Sequence, residues 1–71
     1  MRVKIRLDTL NDVNHLVEIA SRVSEQITLE DGNGMCVSAK SLLGSIYAME
    51  FTNIYCCCDK DITAHIMDLM I

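Results

Sequence analysis

Midway along the chain, Asp31-Gly32-Asn33-Gly34 sets two turn dipeptides back to back. Asp-Gly and Asn-Gly both supply the positive φ that tight hairpin turns need. The segments on either side have strand character. Gln26 to Glu30 alternates polar and apolar with Ile27 and Leu29 on one face, and Met35 to Ser38 returns as a short strand. A hairpin at this point makes antiparallel pairing the natural frame for the rest of the chain.

The remaining elements follow from hydrophobic spacing. Arg2 to Leu7 alternates, with Val3, Ile5 and Leu7 facing one way, which predicts a half-buried strand. Val13, Leu16, Val17, Ala20 and Val23 recur at helical spacing. Thr9 and Asp12 precede them as a Thr-x-x-Asp capping box, with Asn11 as a competing cap. Leu42, Leu43, Ile46, Tyr47 and Met49 predict a shorter second helix capped by Ser38 or Ser41. Asn53 to Cys58 is a third β-rich run, with Ile54, Cys56 and Cys58 on one face and Tyr55 and Cys57 on the other. Ile62, Ile66, Leu69 and Met70 form the stripe of a last helix opened by Asp59 or Asp61. The order is β-α-β-β-α-β-α, an α+β chain with helices on one face of an antiparallel sheet. Spacing leaves the strand order open.

Size and charge narrow the function. The 71 residues leave room for one domain, residues 1–71, with one core. A chain this short buries only about 60% of the surface its unfolded form exposes. Against that, 51% of the residues are hydrophobic and none is proline. Three aromatics leave the core to Ile, Leu, Val and Met. A net charge of −4 argues against sequence-independent binding to nucleic acid and against docking on an anionic membrane. The basic residues read as scattered: Arg22, Lys40 and Lys60 stand apart, and Arg2, Lys4 and Arg6 mark the solvated face of the first strand. No run of about 18 apolar residues is present, and the charged start is followed by no apolar stretch, so the expected compartment is the cytoplasm. Four cysteines without framework spacing fit free thiols there.

Few residues carry recognisable chemistry. Cys56-Cys57-Cys58 invites a metal reading, but structural zinc sites space their paired cysteines by two to four residues, and neighbours on a strand face opposite ways. Cys56 and Cys58 read as small core side chains, with Cys57 turned outward as a weaker redox candidate. His15 and His65 lie beside the apolar stripes and read as half-exposed helix residues, with no partner pattern of a nucleophilic triad. The carboxylates Glu30, Asp31, Asp59 and Asp61 read as turn and cap residues. No metal, cofactor or enzymatic activity is expected. Ser41 differs, because it opens a helix after a strand. A phosphate there would face free N–H groups and the positive end of the helix dipole. Capping alone explains the same serine.

Lys40-Ser41-Leu42-Leu43-Gly44, preceded by Val37, resembles the regulatory-serine segment of the histidine-containing phosphocarrier (HPr) family of the bacterial sugar phosphotransferase system. Leu16-Val17 with Ala20-Ser21-Arg22 resembles that family's first helix, and Ile27, Leu29 and Glu30 its second strand. The likeness covers nearly the whole chain, though only the serine box is specific. It implies an open-faced sandwich, a four-stranded antiparallel sheet with helices on one face. It also implies Ser41 as a regulatory phosphorylation site, with Lys40, Leu42 and Leu43 meeting a partner.

The chain departs from the family where the carrier does its chemistry. Counting back from Leu16, the position of the phosphate-accepting histidine falls on Thr9, and those of the family's arginine and proline on Asn11 and Asp12. Imidazole takes and releases phosphate reversibly at neutral pH, and a threonine hydroxyl is neither as good a nucleophile nor as good a leaving group. Asp8 and Asp12 add negative charge where the family offers a cation. The expectation is therefore a non-catalytic, regulatory or binding paralogue. Its partners would be proteins: phosphotransferase components, the HPr serine kinase or a regulator of carbon catabolism. The alternatives are a phosphocarrier using an atypical residue, or a diverged module with an unrelated partner. Phe51 and Thr52 suggest a short connection into the last strand, and the apolar end Met70-Ile71 suggests surface that a second copy, as in a homodimer, could cover.

Overall fold

The hairpin forms around its glycines. In the computed structural model, which describes all 71 residues, Gly32 and Gly34 alone take positive φ, 84° and 104°. Asp31 organises the loop between them, its Oδ1 accepting the N–H of Asn33 at 2.7 Å and of Met35 at 3.0 Å. In chain order the elements are β1 (Arg2–Ile5), α1 (Leu10–Ser21), β2 (Ile27–Glu30), β3 (Cys36–Ser38), α2 (Leu42–Ala48), β4 (Ile54–Cys58) and α3 (Thr63–Ile66). A 3₁₀ turn over Met67–Leu69 follows. The expected α+β character and four-stranded antiparallel sheet are both present.

The strand order is β1-β4-β2-β3, all antiparallel. Register places Val3, Cys56, Leu29 and Val37 in one row across the sheet, flanked by the pairs Ile5–Ile54 and Ile27–Cys58. Residues paired across a ladder share a face, so these rows make one apolar surface. Val13, Leu16 and Ala20 of α1, Ala48 of α2 and Ile66 of α3 join it in the core, with Leu7, Ala39, Ile62 and Leu69 from the connections. Cys56 and Cys58 are core side chains, as their strand positions predict. Val3 and Val17, expected inside, lie at the margin and are only partly buried. The opposite rows, Arg2–Cys57–Thr28–Ser38 and Lys4–Tyr55–Glu30–Cys36, form the face without helices.

Three expectations need correction. β1 ends at Ile5, so Leu7, although buried, belongs to the connection. The connection after α2 is not short: the helix stops at Ala48, and residues 49–53 lead into β4. The last helix is one turn, followed by the 3₁₀ turn, where Ile62 to Met70 read as continuous. Its spacing was helical, but the edge of β1 offers backbone partners that a helix would forgo. Arg6 N–H donates to the Leu69 carbonyl at 2.8 Å and Ile71 N–H to the Lys4 carbonyl at 3.2 Å, while Met70 bridges to Ile5 in extended form. An edge strand left unpaired is a template for association, and residues 69–71 cover part of this one.

Candidate functional site

At the start of α1, where the resemblance would put a phosphate-accepting histidine, the chain builds a closed structural device. Thr9 is the N-cap, with its hydroxyl oxygen accepting the Asp12 N–H at 3.2 Å. The Asp12 carboxylate returns to accept the N–H of Thr9 at 3.2 Å and of Asp8 at 2.9 Å. A carboxylate thus already sits where the helix dipole and free N–H groups would attract an anion. Asp8 adds a second carboxylate, paired with Arg6 Nε at 3.1 Å. Asn11 is exposed on the first turn and makes no side-chain hydrogen bond. Arg6 and Asp8 border a groove of about 290 Å³ that runs past Met49, Phe51 and Ile54.

The second region is the start of α2. Ser41 is its N-cap, extended at φ −93° and ψ 121°, and its hydroxyl oxygen accepts the Gly44 N–H at 3.0 Å. The capping alternatives at this point therefore resolve to Ser41, while the Ser38 hydroxyl accepts the Lys40 N–H at 3.2 Å. Gly44 explains the last residue of the box. A Cβ there would come within 3.2 Å of the Ser38 carbonyl oxygen and 3.3 Å of the Ser41 Cβ, so glycine lets the first turn lie close to the strand end. Ser41 is exposed, and so are Leu42, Leu43, Ile46 and Tyr47, at 47%, 80%, 37% and 50% of their full areas. Half of the molecule's exposed large apolar side chains thus stand on one seven-residue helix. Its inner face is small, Ser45 and Ala48, with the Ser45 hydroxyl donating to the Ala39 carbonyl at 3.3 Å. Tyr47 meets Phe51 edge to face at 5.8 Å between ring centres.

Lys40 does not lean over Ser41. Its ammonium donates to the Val23 carbonyl at 2.6 Å, just past the end of α1. The start of α2 therefore lies beside the end of α1, while the groove at the start of α1 is bordered by residues that follow α2. Thr9 and Ser41 belong to opposite ends of α1 and do not form one site. A helix of twelve residues is about 18 Å long.

The basic residues that read as scattered converge here. Arg22, Lys60 and His65 line one cavity of about 310 Å³, together with Ile19, Val23 and Ser24. Nothing in the spacing signalled this grouping, because Arg22 follows α1 while Lys60 and His65 come from the turn after β4 and from α3. His15 also has a partner that the sequence did not disclose: Nε2 lies 3.0 Å from the Asp68 carboxylate and ties α1 to the 3₁₀ turn.

On the face without helices, Arg2 stacks over the Tyr55 ring at 4.0 Å. Burial first, then the Glu30 carboxylate, push the Cys57 thiol up, against the opposing pull of Arg2. A raised thiol carries little thiolate at neutral pH, which weakens Cys57 as a redox group. Cys56 is further from reactivity, pushed from 9.0 up to about 12 by burial, with Cys57 and Cys58 adding to it. No three residues among His, Cys, Asp and Glu are grouped as a metal site would need. No helix is long and apolar enough to cross a membrane. Compared with known proteins, the chain matches no family model, no curated protein and no solved structure.

Proposed function

We propose that this chain is a binding module with an HPr-like architecture, non-catalytic, whose α2 face docks a protein partner under control of phosphorylation at Ser41. The observation that carries the reading is the juxtaposition at α2: an exposed capping serine followed directly by four exposed apolar side chains on one short helix. Leu42 and Leu43 give a partner apolar contact area next to the modifiable hydroxyl. A phosphate on Ser41 would add about −1.5 to −2 charge beside that patch. At a helix start the added charge is favourable by roughly 0.3–1 kcal/mol, so modification would change what a partner meets without opening the fold. The element order, the antiparallel sheet and the one-sided helices support the architectural part.

The start of α1 supports the non-catalytic part. A phosphoryl group on Thr9 would displace the capping box and face the carboxylates of Asp8 and Asp12. The partners this reading favours are the HPr serine kinase and a regulator of carbon catabolism or other phosphotransferase component, in the cytoplasm.

The test treats wild type and Ser41→Asn with an HPr serine kinase and ATP and measures intact mass. Asparagine keeps a good cap, so the variant loses the hydroxyl and not the helix start. Wild type should gain a single phosphate and the variant none; an unmodified wild type, or equal labelling of both, removes Ser41 control. In parallel, phosphotransferase enzyme I with phosphoenolpyruvate should leave no acid-labile phosphate. Labelling that disappears in Thr9→Val or His15→Ala would establish the atypical carrier instead.

A further inference from the structure

We infer that the cavity at the end of α1 is a binding site for a small phosphate ester, held by Arg22, Lys60 and His65. Its volume of about 310 Å³ is at the small end of the range typical of ligand sites, enough for a phosphate carrying a short organic group. The site is basic on a chain whose net charge is −4. Of the molecule's eight basic side chains, three line this one cavity and a fourth, Lys40, reaches the Val23 carbonyl at its wall.

The charges are available. The ion pairs of the molecule engage Arg6, His15 and Arg22, and leave Lys60 and His65 without an acidic partner. Arg22 bonds Glu18 through one terminal nitrogen, and a guanidinium has five N–H donors, so further donors remain for an anion. The Ser24 hydroxyl donates to Glu25 at 3.1 Å and is therefore committed elsewhere. Glu18 is paired with Arg22, and Glu25 keeps one buried carboxylate oxygen, Oε1, without a hydrogen-bond partner. Asp59 and Asp61 flank Lys60 in the chain, and Asp61 Oδ1 accepts the Thr63 N–H at 2.9 Å. Helix-end compensation accounts for Lys40, which bonds a carbonyl, and His65 stands in the last turn of the short α3, but Lys60 lies in the turn after β4 and bonds no carbonyl. Ile19 and Val23 supply an apolar wall, which suits an ester over free phosphate. The site lies apart from the Thr9 position and does not depend on Ser41 being phosphorylated.

The experiment titrates ¹⁵N-labelled protein with inorganic phosphate, ribose 5-phosphate and unphosphorylated ribose, following amide shifts. Ribose 5-phosphate should give saturable shifts centred on Ile19, Arg22, Val23, Lys60 and His65, tighter than inorganic phosphate, with ribose silent. Lys60→Gln with His65→Gln should weaken binding by about tenfold or more, the scale expected for losing hydrogen bonds to a charged group. Both side chains are exposed, so the variant keeps its fold, checked by unchanged spectra elsewhere. Arg2→Gln, on the face of the sheet without helices, should leave binding unchanged. Shifts that do not saturate, that fall equally on the β1 cations, or that survive the double substitution overturn the site. Equal affinity for inorganic phosphate and the ester overturns the ester.

Discussion

Cys56 shows how one atom's surroundings set a property of the whole domain. Its thiol lies at the centre of the sheet, paired in register with Val3 on one side and Leu29 on the other. Burial pushes its pKa from 9.0 up to about 12. Between these values the folded state holds a proton that the unfolded state has lost. Stability from this group is therefore complete below pH 9 and declines as pH rises toward 12, by up to about 1.4 kcal/mol per unit. Denaturant unfolding at pH 8, 9 and 10 should show wild type losing stability over this range more steeply than Cys56→Ala. The variant starts lower, having lost core packing, but lacks the titrating group. Parallel slopes in the two proteins would remove Cys56 as the cause. The same burial predicts that alkylating reagents reach exposed Cys36 first and Cys56 and Cys58 only on unfolding.

Among the elements, α2 is the one whose composition and burial disagree. Leu42, Leu43, Ile46 and Tyr47 recur at helical spacing, yet the buried residues are Ser45 and Ala48, and Leu42 and Leu43, which the resemblance sets against a partner, stand exposed with Ile46 and Tyr47. Small residues on the inner face let the helix sit close, with its large side chains left to solvent. Leu43→Ser should then change unfolding free energy by less than about 0.5 kcal/mol, as an exposed site does. Leu16→Ala, in the fully buried face of α1, should cost about 2–5 kcal/mol. A large loss in Leu43→Ser would mean that α2 packs inward and that its apolar face is not free to bind. Partner binding should respond in the opposite way, with Leu43→Ser the more damaging of the two in any variant that stays folded.

At the scale of the molecule, β4 holds the structure together. It is the last strand in sequence but lies inside the sheet, between β1 and β2. β1 therefore joins the sheet only once residues 54–58 are in place between it and β2. The radius of gyration, 10.4 Å, is close to the roughly 11 Å expected for a folded chain of this length. Local stability should follow the topology. Hydrogen exchange should be slowest at the β4 and β2 amides bonded across the centre, and fast in α3 and the 3₁₀ turn, which are short and lie at the margin. Protection in α3 equal to that of β4 would show that the molecule opens only as a whole.

The strands, the hairpin and the starts of α1 and α2 were legible because local physics sets them, whereas α3 begins behind Ile62 with no side-chain cap in place of the expected Asp59 or Asp61. Gly32 and Gly34 provide the positive φ of the hairpin, Thr9 and Asp12 close a capping box by direct contact, and alternation puts Cys56 and Cys58 inside while Cys57 faces out. The candidate residues at α2 were legible for the same reason: Ser41 caps through a bond to a residue three positions on. What needed the tertiary structure depends on residues far apart in sequence. The burial of Ser45 and Ala48, with Ile46 and Tyr47 left outside, follows from how closely α2 approaches the sheet, and the short last helix from the competition of β1's edge for residues 69–71. Most of all, Arg22, Lys60 and His65 become one basic cavity only because α1 ends beside the turn that leaves β4. Sequence spacing records periodicity within an element, and a site made from three elements has no period to record.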